Sequence, residues 1–205
     1  MNNNKRSHFF VKQWMLVLWL LASSSAFAQA PFELAKVKTE AGQSHSYIAE
    51  EHDIKVPVTV IHGTQPGPVL LLTAGVHGDE FPAILALQRL REEVDAKQLK
   101  GTLIMVHLAN LPGFHARRVA LHPADNKNLN REFPGDKNGT PTEQLAEFFT
   151  REFISRIDFL IDMHSGSWNQ QLWPHVYSPF VGDQQLDDLT FEFAKAIGMQ
   201  HIVMY

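Results

Sequence analysis

Apolar residues fall along this chain in two rhythms, and the alternation between them predicts the fold. Positions 56–61 alternate, with Val56, Val58 and Val60 on one side, as in a half-buried strand, and residues 46–48 read as a short strand before it. Residues 69–74 form a near-continuous apolar run, the pattern of a strand covered on both faces. Between 81 and 94 the spacing changes, and Ile84, Leu85, Leu87, Leu90 and Val94 make a helical stripe. Residues 102–108 and 159–163 return to strands, 183–197 to a helix, and 201–205 open a further strand. Thr140-Pro-Thr-Glu143 reads as a capping box with proline at the first helical position, starting a helix that runs to about residue 157. Strands alternating with helices imply an α/β fold, a mostly parallel or mixed twisted sheet flanked by helices.

The N-terminus follows neither rhythm. Lys5-Arg6 and Lys12 precede the apolar run Trp14-Met-Leu-Val-Leu-Trp-Leu-Leu-Ala22, which is too short to span a bilayer. Small residues then lead to Ala26-Phe-Ala28, with Ala28-Gln-Ala30 as an overlapping cleavage choice. Residues 1–30 are expected to be a secretory signal peptide, giving a periplasmic or secreted protein with no stable membrane anchor after cleavage. Residues 31–205 are then expected to form one domain. A chain of 205 residues, 44% hydrophobic and 20% charged, fills one sizeable core rather than two. The net charge of −4 argues against nucleic acid as a partner. No cysteine is present, which excludes disulfides, thiolate metal sites and cysteine nucleophiles together.

The chemistry concentrates at two strand ends and one loop. Gly75-Val-His-Gly-Asp-Glu80 follows the apolar run and sets His77 and Glu80 in H-x-x-E spacing. On a helical turn such residues point the same way, so an imidazole and a carboxylate can converge on one ion. A third ligand must come from another strand end, and Asp162-Met-His164-Ser-Gly166 offers it. Two histidines and a glutamate leave one position of a zinc ion open, the pattern of a hydrolytic rather than a structural site. The long loop from 110 to 138 carries Asn130 and Arg131 side by side, a pair suited to gripping a carboxylate. Arg117 and Arg118 lie upstream in the same loop, and one of them could stabilise charge developing on a scissile carbonyl. Asp162 can orient an imidazole or simply bond at its strand end, and Asp79 can do the same or cap the helix at Phe81. Trp168 and Trp173 can line a pocket, though packing is the default expectation.

Gly75-Val-His-Gly-Asp-Glu80, Asn128-Leu-Asn-Arg131-Glu-Phe-Pro-Gly and Asp162-Met-His-Ser-Gly166 occur in that order on the expected elements. Over about residues 55 to 205 the chain resembles the succinylglutamate desuccinylase/aspartoacylase family, relatives of the zinc carboxypeptidases. The resemblance implies one zinc held by His77, Glu80 and His164, a substrate carboxylate bound by Asn130 and Arg131, and a loop arginine that polarises the carbonyl. Arg117 and Arg118 both fall near that last place, and Arg117 is favoured. It implies a small-molecule carboxylate or peptide substrate. It also implies a general-base glutamate on a later strand, a region not reached before Tyr205. The domain is thus expected to be the N-terminal part of the fold, lacking its last strands. Glu132 and Asp162 are the nearest carboxylates that could stand in as base.

Overall fold

The computed structural model describes residues 29–167 and 169–205, so the expected signal peptide lies outside the described residues except at its last two positions. Among the described residues no helix is long and apolar enough to cross a membrane. Two short strands, β1 (Phe32–Leu34) and β2 (Val37–Thr39), open the fold as a hairpin. Then come β3 (Gln43–Glu51), β4 (Ile54–His62) and β5 (Gln65–Ala74), followed by α1 (Phe81–Glu93) and β6 (Lys100–Val106). After a short helix α2 (Leu111–His115), the chain continues through α3 (Pro141–Glu152), β7 (Phe159–Met163), β8 (Val176–Ser178), α4 (Gln184–Ala196) and β9 (Ile202–Met204).

Five strands form one sheet in the order β3-β4-β6-β5-β7. β3, β4 and β6 pair antiparallel, and β6, β5 and β7 pair parallel. The sheet is therefore mixed: the tight turn at His52-Asp53 folds β3 back on β4, which no crossover helix could do. Alternation along the strands builds a core on each face. Val56, Val58, Val60, Leu71, Ile104 and Val106 meet Leu145, Phe148 and Phe149 of α3 on one side. Ile61, Leu72, Ala74, Leu103 and Met105 meet Ala83, Ile84 and Leu87 of α1 on the other.

Several expectations change. Leu85 is exposed and does not join the buried stripe of α1. The helix after Thr140 ends at Glu152, where the buried Phe153 turns the chain into a 3-10 turn, Ile154–Arg156. Asp187, a charged residue of α4, is buried and accepts Val181 N–H at 2.8 Å and Gly182 N–H at 3.1 Å. The last strand does not extend the main sheet: β9 pairs with β8 in a separate two-stranded parallel sheet.

The long loop is ordered by its own polar groups. Asp125 accepts Thr142 N–H at 2.8 Å and Thr142 Oγ1–H at 2.6 Å, while Glu143 Oε2 accepts Thr140 N–H at 2.6 Å. Both carboxylates thereby satisfy free amides at the start of α3. Burial opposes the charge on Asp125, but these hydrogen bonds outweigh it and hold its pKa at about 2.

One buried histidine makes stability depend on pH. His107 bonds Thr59 Oγ1 through Nε2 at 2.7 Å, and its Nδ1 has no partner. Burial, then the charge of Arg91, pushes its pKa from 6.5 down to about 4. The unfolded chain thus binds a proton between those values that the folded chain refuses, and stability falls as pH drops through that window. Urea midpoints of His107→Gln, compared with the parent from pH 7 to pH 4, are expected to fall less steeply. Parallel curves would contradict the assignment.

Candidate metal centre

Parallel pairing of β5 and β7 puts Ala74 opposite Met163, so the segments leaving the two strands start side by side. From β5 the chain passes through α1 on one face of the sheet to β6, and then through α3 on the other face to β7. The two connections diverge around the carboxyl end of β5, the place where open α/β sheets form a crevice. Gly75, the first residue after β5, has φ +69°, and a Cβ there would collide with Leu108 Cδ1 and stand 3.1 Å from Leu108 Cα. Asn110 N–H reaches Gly75 O at 2.8 Å, closing the motif loop onto the loop after β6.

The structure brings His77, Glu80 and His164 together. Their ligand atoms lie within 4.8 Å of one another. Glu80 is buried, and its two oxygens are shared: Oε1 lies 2.8 Å from His77 Nδ1, and Oε2 lies 2.8 Å from His164 Nδ1. Oε2 also accepts Ser165 N–H at 3.2 Å. The two imidazole rings stand 5.0 Å apart between centroids. Burial tends to raise the pKa of Glu80, but hydrogen bonds from His164 and His77, with their charge, bring it down to about 2. Asp162 first, then Glu80, raises His164 to about 10.

The donor set fits a metal ion. Both Nδ1 atoms face the shared carboxylate, and both Nε2 atoms face acceptors on the outside. His164 Nε2 lies 2.7 Å from Asp162 Oδ2, and Thr73 Oγ1 of neighbouring β5 donates to the other oxygen of Asp162. His77 Nε2 lies 3.1 Å from Asn128 Oδ1. A ring whose Nε2–H is held by an acceptor keeps Nδ1 for ligation. An ion with nitrogen and oxygen ligands at about 2.0–2.2 Å needs donor atoms that converge on one point, as these three do.

The other expected residues are placed as follows. Asn130 and Arg131 sit on the 3-10 turn Leu129–Arg131, and the exposed Arg131 lays Nη1 on Asn130 O at 2.9 Å. Asn128 caps that turn, its Oδ1 accepting Asn130 N–H at 2.9 Å. In the sequence Asn128 stands within the Asn130-Arg131 motif with no role attached to it. Its place three residues before Arg131, at a turn start, was the available signal. Arg117 (φ 51°) and Arg118 are exposed just after α2, and among the described residues no hydrogen bond of either side chain draws it to the cluster. Asp79 is buried, with Oδ1 accepting Ala120 N–H at 3.1 Å, and it does not cap α1. Glu132 contacts Lys127 Nζ at 3.5 Å. Trp173 is 82% exposed and neither packs in a core nor closes a pocket, and Trp168 lies outside the described residues.

Residues 66–205, more than half of the chain, match the succinylglutamate desuccinylase/aspartoacylase catalytic domain. The chain belongs to that family. It is 38% identical over 151 residues to the N-alpha-acetyl-L-2,4-diaminobutyric acid deacetylase of Halomonas elongata, a match covering 74% of this chain and 44% of that protein. The crystal structure of a succinylglutamate desuccinylase/aspartoacylase from Rhodobacter sphaeroides is 32% identical with a TM-score of 0.68, covering 74% of this chain and 45% of that one. A metallo-carboxypeptidase from Burkholderia cenocepacia, 18% identical with a TM-score of 0.51, shares the fold, covering 80% of this chain and 49% of that one. The chain thus spans about half the length of these relatives.

Gly75 is the backbone position on which the cluster hangs. Gly75→Ala adds a Cβ in a left-handed conformation and against Leu108, so a loss of about 2–4 kcal/mol in unfolding free energy is expected by urea titration. A loss below about 1 kcal/mol would show that the loop relaxes freely.

Proposed function

We propose that the chain belongs to a zinc-dependent hydrolase that cleaves an amide (or ester) bond beside a free carboxylate, as in an N-acyl amino acid or a peptide C-terminus. The convergence of His77, Glu80 and His164 carries this reading. The name of the Halomonas relative supports it, for N-acetyl-diaminobutyric acid is an amide that keeps its carboxylate. A bound zinc supplies Lewis-acid chemistry, polarising the carbonyl and acidifying water. The chain's own residues do the rest. His77 and His164 would hold the ion through their Nδ1 atoms, and Glu80 would neutralise part of its charge. Asn130 and Arg131 hold the substrate carboxylate, which sets the scissile bond at a fixed reach from the cluster. Arg117, or Arg118 beside it, faces charge growing on the carbonyl oxygen. The basic and apolar N-terminal pattern supports a location for this activity outside the cytoplasm.

A second reading rests on the carboxylates near the site. Asp162 is engaged by His164 and Thr73, and Asp79 is closed off from solvent. Glu132 faces Lys127. With Asp162 and Glu132 so engaged and Asp79 buried, the 205 residues alone bind zinc and a carboxylate without turning substrate over.

Zinc titration of the 205-residue chain against a chromophoric chelator decides the metal question. One ion per chain is expected, with binding lost in His164→Ala, and the absence of binding would overturn both readings. Turnover of N-acyl amino acids separates the two. Where turnover occurs, Arg131→Ala should cost on the order of 2–5 kcal/mol, roughly 30-fold or more in kcat/KM, with metal content unchanged.

A further inference from the structure

Asn128 hydrogen-bonds to two parts of the site, the His77 ring and the turn that carries Asn130 and Arg131. Its Oδ1 accepts the backbone N–H of Asn130 at 2.9 Å, which identifies that atom as the oxygen of the amide. The same oxygen lies 3.1 Å from His77 Nε2, so Nε2 is the donor in that contact and carries the ring's proton. One acceptor atom therefore fixes both the tautomer of a metal-ligating ring and the first amide of the turn that presents Asn130 and Arg131. The two ligating rings are also backed differently: His164 by a carboxylate that Thr73 anchors, His77 by a neutral amide.

We infer that Asn128 is a positioning residue that couples metal binding to the order of the carboxylate-binding turn, through its shared oxygen on His77 and Asn130. The inference rests on the metal reading above. With a metal bound, the His77 ring would donate more strongly from Nε2, which would draw Asn128 Oδ1 into place. The cap on Asn130 N–H is tightened by the same movement, so the turn becomes more ordered when the ion is bound. In reciprocal fashion, ordering the turn improves metal affinity. The order is felt at Asn130, the residue next to Arg131, so the occupied metal site presents a better-fixed carboxylate grip than the empty one. A neutral acceptor also leaves Glu80 as the only charged group on His77, whereas His164 has carboxylates at both nitrogens.

The test uses the 205-residue chain and zinc alone. Hydrogen exchange resolved to residues 128–131 is measured with and without zinc, beside zinc affinity from chelator competition. In the parent, zinc should slow exchange of the Asn130 amide. Asn128→Ala should bind zinc about 10- to 100-fold more weakly and show no zinc-dependent slowing even at saturation. Asn128→Asp, which keeps the acceptor, should restore the slowing and bind zinc at least as tightly as the parent. Unchanged affinity in Asn128→Ala, or slowing as large as in the parent, overturns the inference while leaving the metal reading intact. Failure of the parent to bind zinc overturns the metal reading and this inference with it. If Asn128→Ala does not fold, Asn128→Asp decides alone, and loss of coupling in the folded aspartate variant overturns the proposal.

Discussion

A carboxylate withdrawn from water needs partners for both of its oxygens, and the architecture around Glu80 is arranged to provide them. One partner, His77, comes from the same turn. The other, His164, comes from a strand far away in sequence, and it arrives only because β7 pairs with β5 in one register. A slip of one residue would turn the side chains of β7 to the opposite faces and carry His164 away from Glu80. The apolar faces of the sheet therefore do more than fill a core: α1 and α3, clamped on opposite sides, hold the register that closes the cluster.

The cluster is also insulated by degrees. Glu80 is buried, His77 is half-buried and His164 is exposed, so one side of the site is set in protein and the other is open to a ligand. Each imidazole is held from behind, one through the sheet and one through the long loop. The sheet-side support is rigid, since Thr73 and Asp162 face each other across paired strands. The loop-side support depends on how well residues 122–131 are kept in order.

Much of this was legible in the sequence. The apolar runs gave β5 and β7, the helical spacing gave α1 and α4, and the motifs at the strand ends named the three clustered residues. The misses have physical reasons. β3 is an edge strand whose residues Gln43, Ser44, His45 and Ser46 face solvent, so most of it shows no apolar rhythm. The β1–β2 hairpin turns on Ala35 and Lys36, both at positive φ, without the Asn-Gly pair that usually marks such a turn. The burial of Asp187 leaves no trace in the apolar pattern, because a charge is normally solvated and here two backbone amides justify it. The antiparallel entry of β3 and β4 depends on strand order, which local pattern does not encode. Asn128 was hidden because its role lies in geometry, two donors converging on one oxygen.

The hydrogen bonds of Asp125 to the start of α3 bear on how the domain comes apart. The loop segment ahead of Asn128 has no hydrophobic stripe of its own, and its order is borrowed from a helix whose far face fills the larger core. Loop and helix thus form one cooperative unit, opening and closing together rather than as a loose flap over a firm base. Asn130 and Arg131 inherit the local stability of α3, and a perturbation deep under Phe148 and Phe149 is transmitted to the turn that carries them.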